Sequence, residues 1–347
     1  MPLRTLLGLD LPILQAPMAG VQGSALAIAV SNAGGLGALP CAMLGPDAMR
    51  QELAAIRAQT DRPFNVNFFC HTPPAPDAAR EAAWRATLAP AYAEFGIDPA
   101  AIHAGPGRRP FDAQSAEILA EFKPPVVSFH FGLPSAELLA RVRGWGAKVL
   151  SSATTVEEAR WLEAHGVDAV IAQGLEAGGH RGHFLSDDLT RQMGTFALLP
   201  QVVAAVKIPV IAAGGIADAA GVAAAMALGA AGVQVGTAYL LCPEATTSAV
   251  HRAALQSEAA HHTALTNLFT GRPARGIVNR FITEFGPLHE AVPQFPLATA
   301  ASAPLRTAAE TRGSSAFSPL WAGQNTRGCC ALPAAELTRS LAAGLHG

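Results

Sequence analysis

The chain has 347 residues, enough for one large domain or two smaller ones around a substantial core. Half of its residues are hydrophobic and only 14% are charged, which excludes a disordered chain. The formal net charge of -2 provides no basic field for nucleic acid or anionic lipid.

Five cysteines, Cys41, Cys70, Cys242, Cys329 and Cys330, neither form a disulfide framework nor show Cys/His spacing for a metal. The expectation is free thiols, no metal and a reducing cytoplasm. Residues 1–8 lack the charged and then apolar build of a signal peptide. Residues 219–243 carry no charge, but glycines at 221, 229, 232 and 236 break the run. It reads as a buried helix, a turn and a buried strand rather than a membrane span.

Short apolar runs recur along the chain, several of them introduced by proline, which needs no ladder donor at a strand's first position. Eight candidate strands result, at residues 12–18, 36–40, 64–69, 126–131, 148–153, 169–174, 210–214 and 232–240. Alanine-rich segments with helical spacing lie between them, for example 24–32, 47–59, 155–165 and 218–228. This alternation predicts an α/β fold, a (β/α)8 TIM barrel, with an open doubly wound sheet as the alternative. Two departures are visible. The third crossover carries a long insertion, about residues 71–124, and a C-terminal helical extension, residues 246–347, follows the barrel domain of residues 1–245. Together they could cap the barrel mouth.

Side-chain parity points to a site. Ser128 and His130 oppose Val127, Phe129 and Phe131; Asn65 and Asn67 oppose Phe64, Val66 and Phe68; Gln173 ends the face of Ala169 and Ile171. Asn67, His130 and Gln173 therefore point inward near the C-terminal ends of their strands, where barrel chemistry is done. A purely structural barrel fills these layers with branched apolar side chains instead.

The seventh strand ends in Gly214-Gly215 ahead of Asp218, a candidate N-cap, and the eighth contains Gln234-Val235-Gly236-Thr237. Glycine loops after the last two strands suit a phosphate, because they let the backbone and its N–H groups approach a ligand. A third glycine-rich turn, residues 173–182, is expected to carry His180 and Arg181 on a mobile loop at the same mouth. No GxGxxG after a strand, no P-loop and no GxSxG elbow appears, and His261-His262 read as surface.

Residues 14–18, 32–37, 64–67, 127–132, 172–182, 212–215, 234–237, 271–276 and 321–324, taken in this order, resemble the nitronate monooxygenases, formerly 2-nitropropane dioxygenases. The likeness covers nearly the whole chain. It implies a TIM barrel holding non-covalent FMN, with the phosphate in the loops after the last two strands. Carried over by position, Ala16, Pro17 and Met18 would lie against the isoalloxazine, and Asn67 and Gln173 would reach its polar edge. Gly178, Gly214, Gly215, Gly236 and Thr237 would hold the ribityl phosphate, with Gln234 beside them. His130 matches the family's active-site histidine, and His180 matches a second histidine near the flavin.

The implied reaction is oxidation of an alkyl nitronate, for example propionate 3-nitronate, by O2 to a carbonyl compound and nitrite. His130 would either pair as imidazolium with the anionic nitronate or, neutral, take a proton from a nitroalkane. Neither nucleic acid nor membrane is expected as a partner, and assembly as a homodimer is compatible with the sequence. The chain departs from the pattern where relatives carry pocket tyrosines and a lysine: residues 102–112 and 295–305 contain neither, and His251 aligns with a further tyrosine. The alternatives are an FMN-dependent NAD(P)H reductase acting on a quinone or enoyl thioester, and a flavin-binding barrel that has lost its chemistry.

Overall fold

The computed structural model describes residues 1–103 and 107–346; residues 104–106 of the expected insertion and residue 347 of the extension lie outside the described residues. Strands β1 (Ile13–Gln15), β2 (Gly37–Pro40), β3 (Phe64–Phe69), β4 (Val126–His130), β5 (Lys148–Ala153) and β6 (Ala169–Gln173) are followed by a short β7 (Gly179–His180), then β8 (Val210–Ala213) and β9 (Gly232–Val235). All but β7 pair in parallel in the order β1-β9-β8-β6-β5-β4-β3-β2. A parallel bridge between Leu14 and Leu36 closes the ring, so the sheet is a barrel and the open doubly wound alternative is excluded.

Outward-facing strand residues such as Val66, Val127, Phe129, Val149, Val170 and Ala212 pack against the surrounding helices in the largest apolar cluster. These helices are α2 (Ser24–Asn32), α3 (Pro46–Gln59), α5 (Ala113–Phe122), α6 (Ala136–Gly144), α7 (Val156–Ala164), α8 (Thr195–Ala205) and α9 (Ala219–Ala227), preceded by α1 (Leu3–Leu7) and interrupted by α4 (Ala78–Phe95). Side-chain caps start several of them: Asp112, Ser135, Thr155 and Asp218 each accept from a backbone N–H three residues on. Inside the ring, Leu14, Leu36, Val126, Leu150, Ile171 and Ile211 form a separate core floored by Leu3 and Leu7 of α1. The apolar filling thus occupies the N-terminal end of the barrel and leaves the other end for polar groups.

The strand boundaries differ from expectation at both ends of the ring. β1 stops at Gln15, because Pro17 has no N–H to continue a ladder. The eighth barrel strand, expected over 232–240, stops at Val235, where Gly236 turns into a 3-10 helix over Thr237–Leu241. That turn buries Tyr239, whose hydroxyl lies 2.9 Å from Thr338 Oγ1.

The C-terminal segment is not purely helical. Besides α10 (Ala249–Leu255), α11 (Arg280–Phe285), α12 (Thr299–Thr311) and α13 (Ala334–Ala342), it contains β10 (Thr263–Thr266) and β11 (Ala274–Ile277). These pair antiparallel with each other and with β7, setting Ala274 opposite His180. α4 of the insertion packs on α12, and Trp84, Leu88, Tyr92, Phe269, Phe281, Leu305 and Phe317 form a second core there. The final helix α13 packs on α2 and α9 instead, filling the wall between the first and last barrel strands. It therefore belongs to the barrel rather than to the lobe that α4, α11, α12 and β10 build around the second core. Among the described residues no helix is long and apolar enough to cross a membrane. Cys41 and Cys242 are buried free thiols, whereas Cys70, Cys329 and Cys330 are half-buried ones.

Candidate active site

At the C-terminal ends of the barrel strands a single cavity collects every residue expected at the site. Ala16, Pro17 and Met18 follow β1, Asn67 lies two residues before the end of β3, His130 ends β4 and Gln173 ends β6, all on its wall. Gly178 enters from the loop after β6 and His180 from β7, Gly214 and Gly215 from the loop after β8, and Gln234, Gly236 and Thr237 from β9 and the turn beyond it.

His130 is held at both ring nitrogens. Nε2 lies 3.1 Å from the His180 backbone oxygen and therefore donates, which leaves Nδ1, 3.0 Å from Ser152 Oγ, to accept. Desolvation among apolar neighbours lowers the ring's pKa to about 3, and Arg272 and Arg181 push in the same direction. The ring is neutral at physiological pH, so its imidazolium form is disfavoured. His180 is likewise pushed well below its ordinary value by desolvation, then by Arg108, and its Nε2 lies 2.9 Å from Thr270 Oγ1 of the lobe.

Gln173 locks the loop that follows its strand. Its Nε2 donates to the His180 oxygen at 3.0 Å and its Oε1 accepts from Gly182 N at 2.8 Å. Asn67 Nδ2 donates to Ser128 Oγ at 2.9 Å, and Asn65 Nδ2 reaches the same hydroxyl at 2.8 Å. Phe131, directly after His130, adopts φ 70°, an uncommon and strained backbone state for a bulky residue. Its ring is pinned between Phe69 at 4.9 Å and Phe295 at 5.5 Å, with the Arg272 guanidinium 4.2 Å above it. That packing stabilises the sharp turn by which β4 leaves His130 at the cavity edge.

Arg181, expected on a mobile loop, is instead fully buried. Its guanidinium donates to Gly174 O at 2.6 Å, Gln173 O at 2.8 Å and Gln192 Oε1 at 2.7 Å, and desolvation lowers its pKa to about 9. Because the fork satisfies carbonyls at the end of β6, it clamps the loop rather than facing the mouth.

The glycine loops form a cradle. Gly214 and Gly215 adopt φ 121° and 74°, which side-chain-bearing residues rarely do. A Cβ on Gly178 would stand 2.5 Å from Gly323 N, so the two segments touch through backbone alone. Thr237 Oγ1 accepts from Gly323 N at 2.9 Å, and Asn325 Nδ2 donates to Gly215 O at 2.9 Å. Among the described residues, the N–H groups of Gly178, Gly214, Gly215 and Gly236 donate to no protein acceptor. Unpartnered amides converging from three loops are the donor set a phosphate takes. The nearby Glu176 carboxylate is occupied by Thr195 N and Oγ1. The cavity also contains the unpartnered Nε2 of buried His251. These features fit a phosphorylated cofactor.

Sequence reasoning missed Ser152, Glu176, Arg108 and Met43, which also line the cavity. Ser152 sits at the inward parity of β5 and could have been found as the others were; Arg108 and Met43 come from loops without periodic signal. His261 and His262 are exposed, away from the cavity.

The chain matches the family model described as nitronate monooxygenase over residues 1–344. It is 46% identical to a nitronate monooxygenase of Pseudomonas aeruginosa, covering 99% of this chain and 98% of that one. It is also 46% identical to a nitronate monooxygenase of Paraburkholderia phytofirmans, covering 97% and 92%. Among solved structures, a nitroalkane oxidase of Streptomyces ansochromogenes superposes with a TM-score of 0.89 at 43% identity, covering 99% and 97%. FabK of Thermotoga maritima superposes with 0.72 at 27% identity, covering 99% and 95%. The chain belongs to the nitronate monooxygenase family.

Proposed function

We propose that this protein is a cytoplasmic, FMN-dependent enzyme that oxidises alkyl nitronates with O2, releasing nitrite and a carbonyl compound. The observation that carries the reading is the single cavity in which the unpartnered amides of Gly178, Gly214, Gly215 and Gly236 meet His130, Asn67 and Gln173. Those amides would hold the cofactor's phosphate, Ala16, Pro17 and Met18 its ring face, and Asn67 and Gln173 its polar edge. Bound there, FMN would accept the electrons of the nitronate and pass them to O2.

The residues of the chain select the form of the substrate. A base whose conjugate acid is held near pH 3 is a poor acceptor for a carbon-bound proton, so neutral His130 favours the pre-formed anion over the nitroalkane. Arg272 and Arg108 supply positive potential around the histidines of the cavity. His130 then contributes a fixed, uncharged ring at the reacting end, with Phe69 and Phe131 beside it, while Phe295 and Trp321 stand against the His180 ring at 5.3 and 5.6 Å. The reductase alternative is not favoured, since the relatives that are 46% identical over nearly the whole length are named nitronate monooxygenases, whereas FabK is 27% identical. Nitrite release from ethylnitronate, with little from nitroethane at the same pH, tests the reading; nitrite from neither would overturn it.

A further inference from the structure

A second cavity of about 910 Å³ adjoins the first. Two side chains, Arg108 and Met43, line both. Beyond them most of the wall is apolar, with Met49 and Phe68 on the barrel side and Leu297, Ala300 and Ala303 on the lobe side, while Glu81, Arg85, Asp98 and Arg109 also line it. A chamber of this size encloses ligands far larger than a two- or three-carbon nitronate. Met43 is 53% exposed, an unusual state for a large apolar side chain and a suitable one for an adaptable boundary between chambers.

Arg108 is a cation in search of an anion. Its guanidinium donates to Thr299 Oγ1 at 3.0 Å and stands 5.8 Å from the centre of the Phe295 ring. Among the described residues no carboxylate lies within salt-bridge distance of it. An arginine largely removed from water without a carboxylate is costly unless a ligand completes it.

We propose that the second cavity is the substrate's chain-binding subsite: the nitronate head lies in the first cavity, paired with Arg108, and its carbon chain runs past Met43 into the apolar chamber. The substrate class is therefore nitronates with an extended apolar chain. This inference rests on the nitronate reading above and adds the chain-length selectivity.

The test is kcat/KM for nitrite release by the FMN-loaded enzyme along ethyl-, butyl-, hexyl- and octylnitronate. The expected result is a rise of about fourfold per added methylene, as apolar burial implies. Ala303→Trp and Ala300→Phe should each flatten that rise, and two variants guard against one failing to fold. Arg108→Met should raise KM by about tenfold for every member without changing the slope. A flat series from an active enzyme, or a steep one that survives both blocking substitutions, would overturn the chain subsite alone. Nitrite from no nitronate of any length would overturn the nitronate reading, and the subsite with it.

Discussion

His130 donates from Nε2 to the backbone oxygen of His180 at 3.1 Å, an oxygen that Gln173 also reaches at 3.0 Å. The end of β4, the end of β6 and the loop carrying the second histidine are thus fixed to one atom. The ring is positioned by the same hydrogen bond that sets its tautomer. His130→Ala should lower kcat/KM for ethylnitronate by about 10²-fold, because the fixed ring that positions the reacting end is lost. FMN affinity, measured by fluorescence titration, should change less than about threefold, because the phosphate cradle is built from other loops. Unchanged turnover would show that the ring has no part in the reaction.

Arg181 offers a separate test of the loop. Replacing it with methionine strands the carbonyls of Gln173 and Gly174 and the amide of Gln192 in a dry interior. The cost should be about 2–4 kcal/mol of folding stability in urea unfolding. Arg181→Lys should recover less than half of it, because an ammonium cannot reproduce the planar fork. A stability loss within about 0.5 kcal/mol for Arg181→Met would mean the loop does not depend on the clamp.

The phosphate cradle can be probed without substrate. Gly215 has φ 74°, and a Cβ there would stand 3.4 Å from Glu176 Cβ, so strain rather than collision is the main effect of a side chain. Gly215→Val should weaken FMN binding by about tenfold or more, since a β-branched residue forces the turn toward negative φ and moves its amides. Binding at the wild-type level would place the phosphate elsewhere.

Acid should destabilise the fold well before the carboxylates titrate. Desolvation lowers His130 and His183 to about 3 and His71 and His251 to about 4, and it holds His180 well below its ordinary value. Their unfolded pKa values are about 6.5, so below that pH the unfolded chain binds protons that the native chain refuses. Stability is fully present above about pH 6.5 and falls as the pH drops toward 4, by on the order of 1 kcal/mol per pH unit for each such histidine. Thermal unfolding midpoints from pH 7.5 down to 5 should decline steadily, and His183→Asn should make the decline shallower. A flat profile would mean that these rings are hydrated in the native state.

Much of the barrel was legible because its signals are local. Alternation at residues 64–69 and 126–131 gave both the strands and the inward parity of Asn67 and His130, and the ordered glycine motifs gave the family. What was not legible depends on distant contacts. Tyr239 leaves the strand pattern because a turn begins at Gly236 and Thr338, 99 residues on, receives its hydroxyl. Helix α13 reads as the end of an extension, yet the gap between α2 and α9 claims it for the barrel wall. Arg181 looked mobile among glycines, and only the three oxygens gathered around its guanidinium reveal a clamp. Arg108 sits in a loop without period, so nothing in the sequence ties it to Met43.

The most direct measurement is the visible spectrum of the purified protein, reconstituted with FMN and held without oxygen, as ethylnitronate and then NADH are added to separate samples. Prompt bleaching of the flavin band by the nitronate, slow or no bleaching by NADH, and nitrite on admitting air are the predicted results. Failure to retain FMN, or bleaching by NADH with none by the nitronate, would contradict the account.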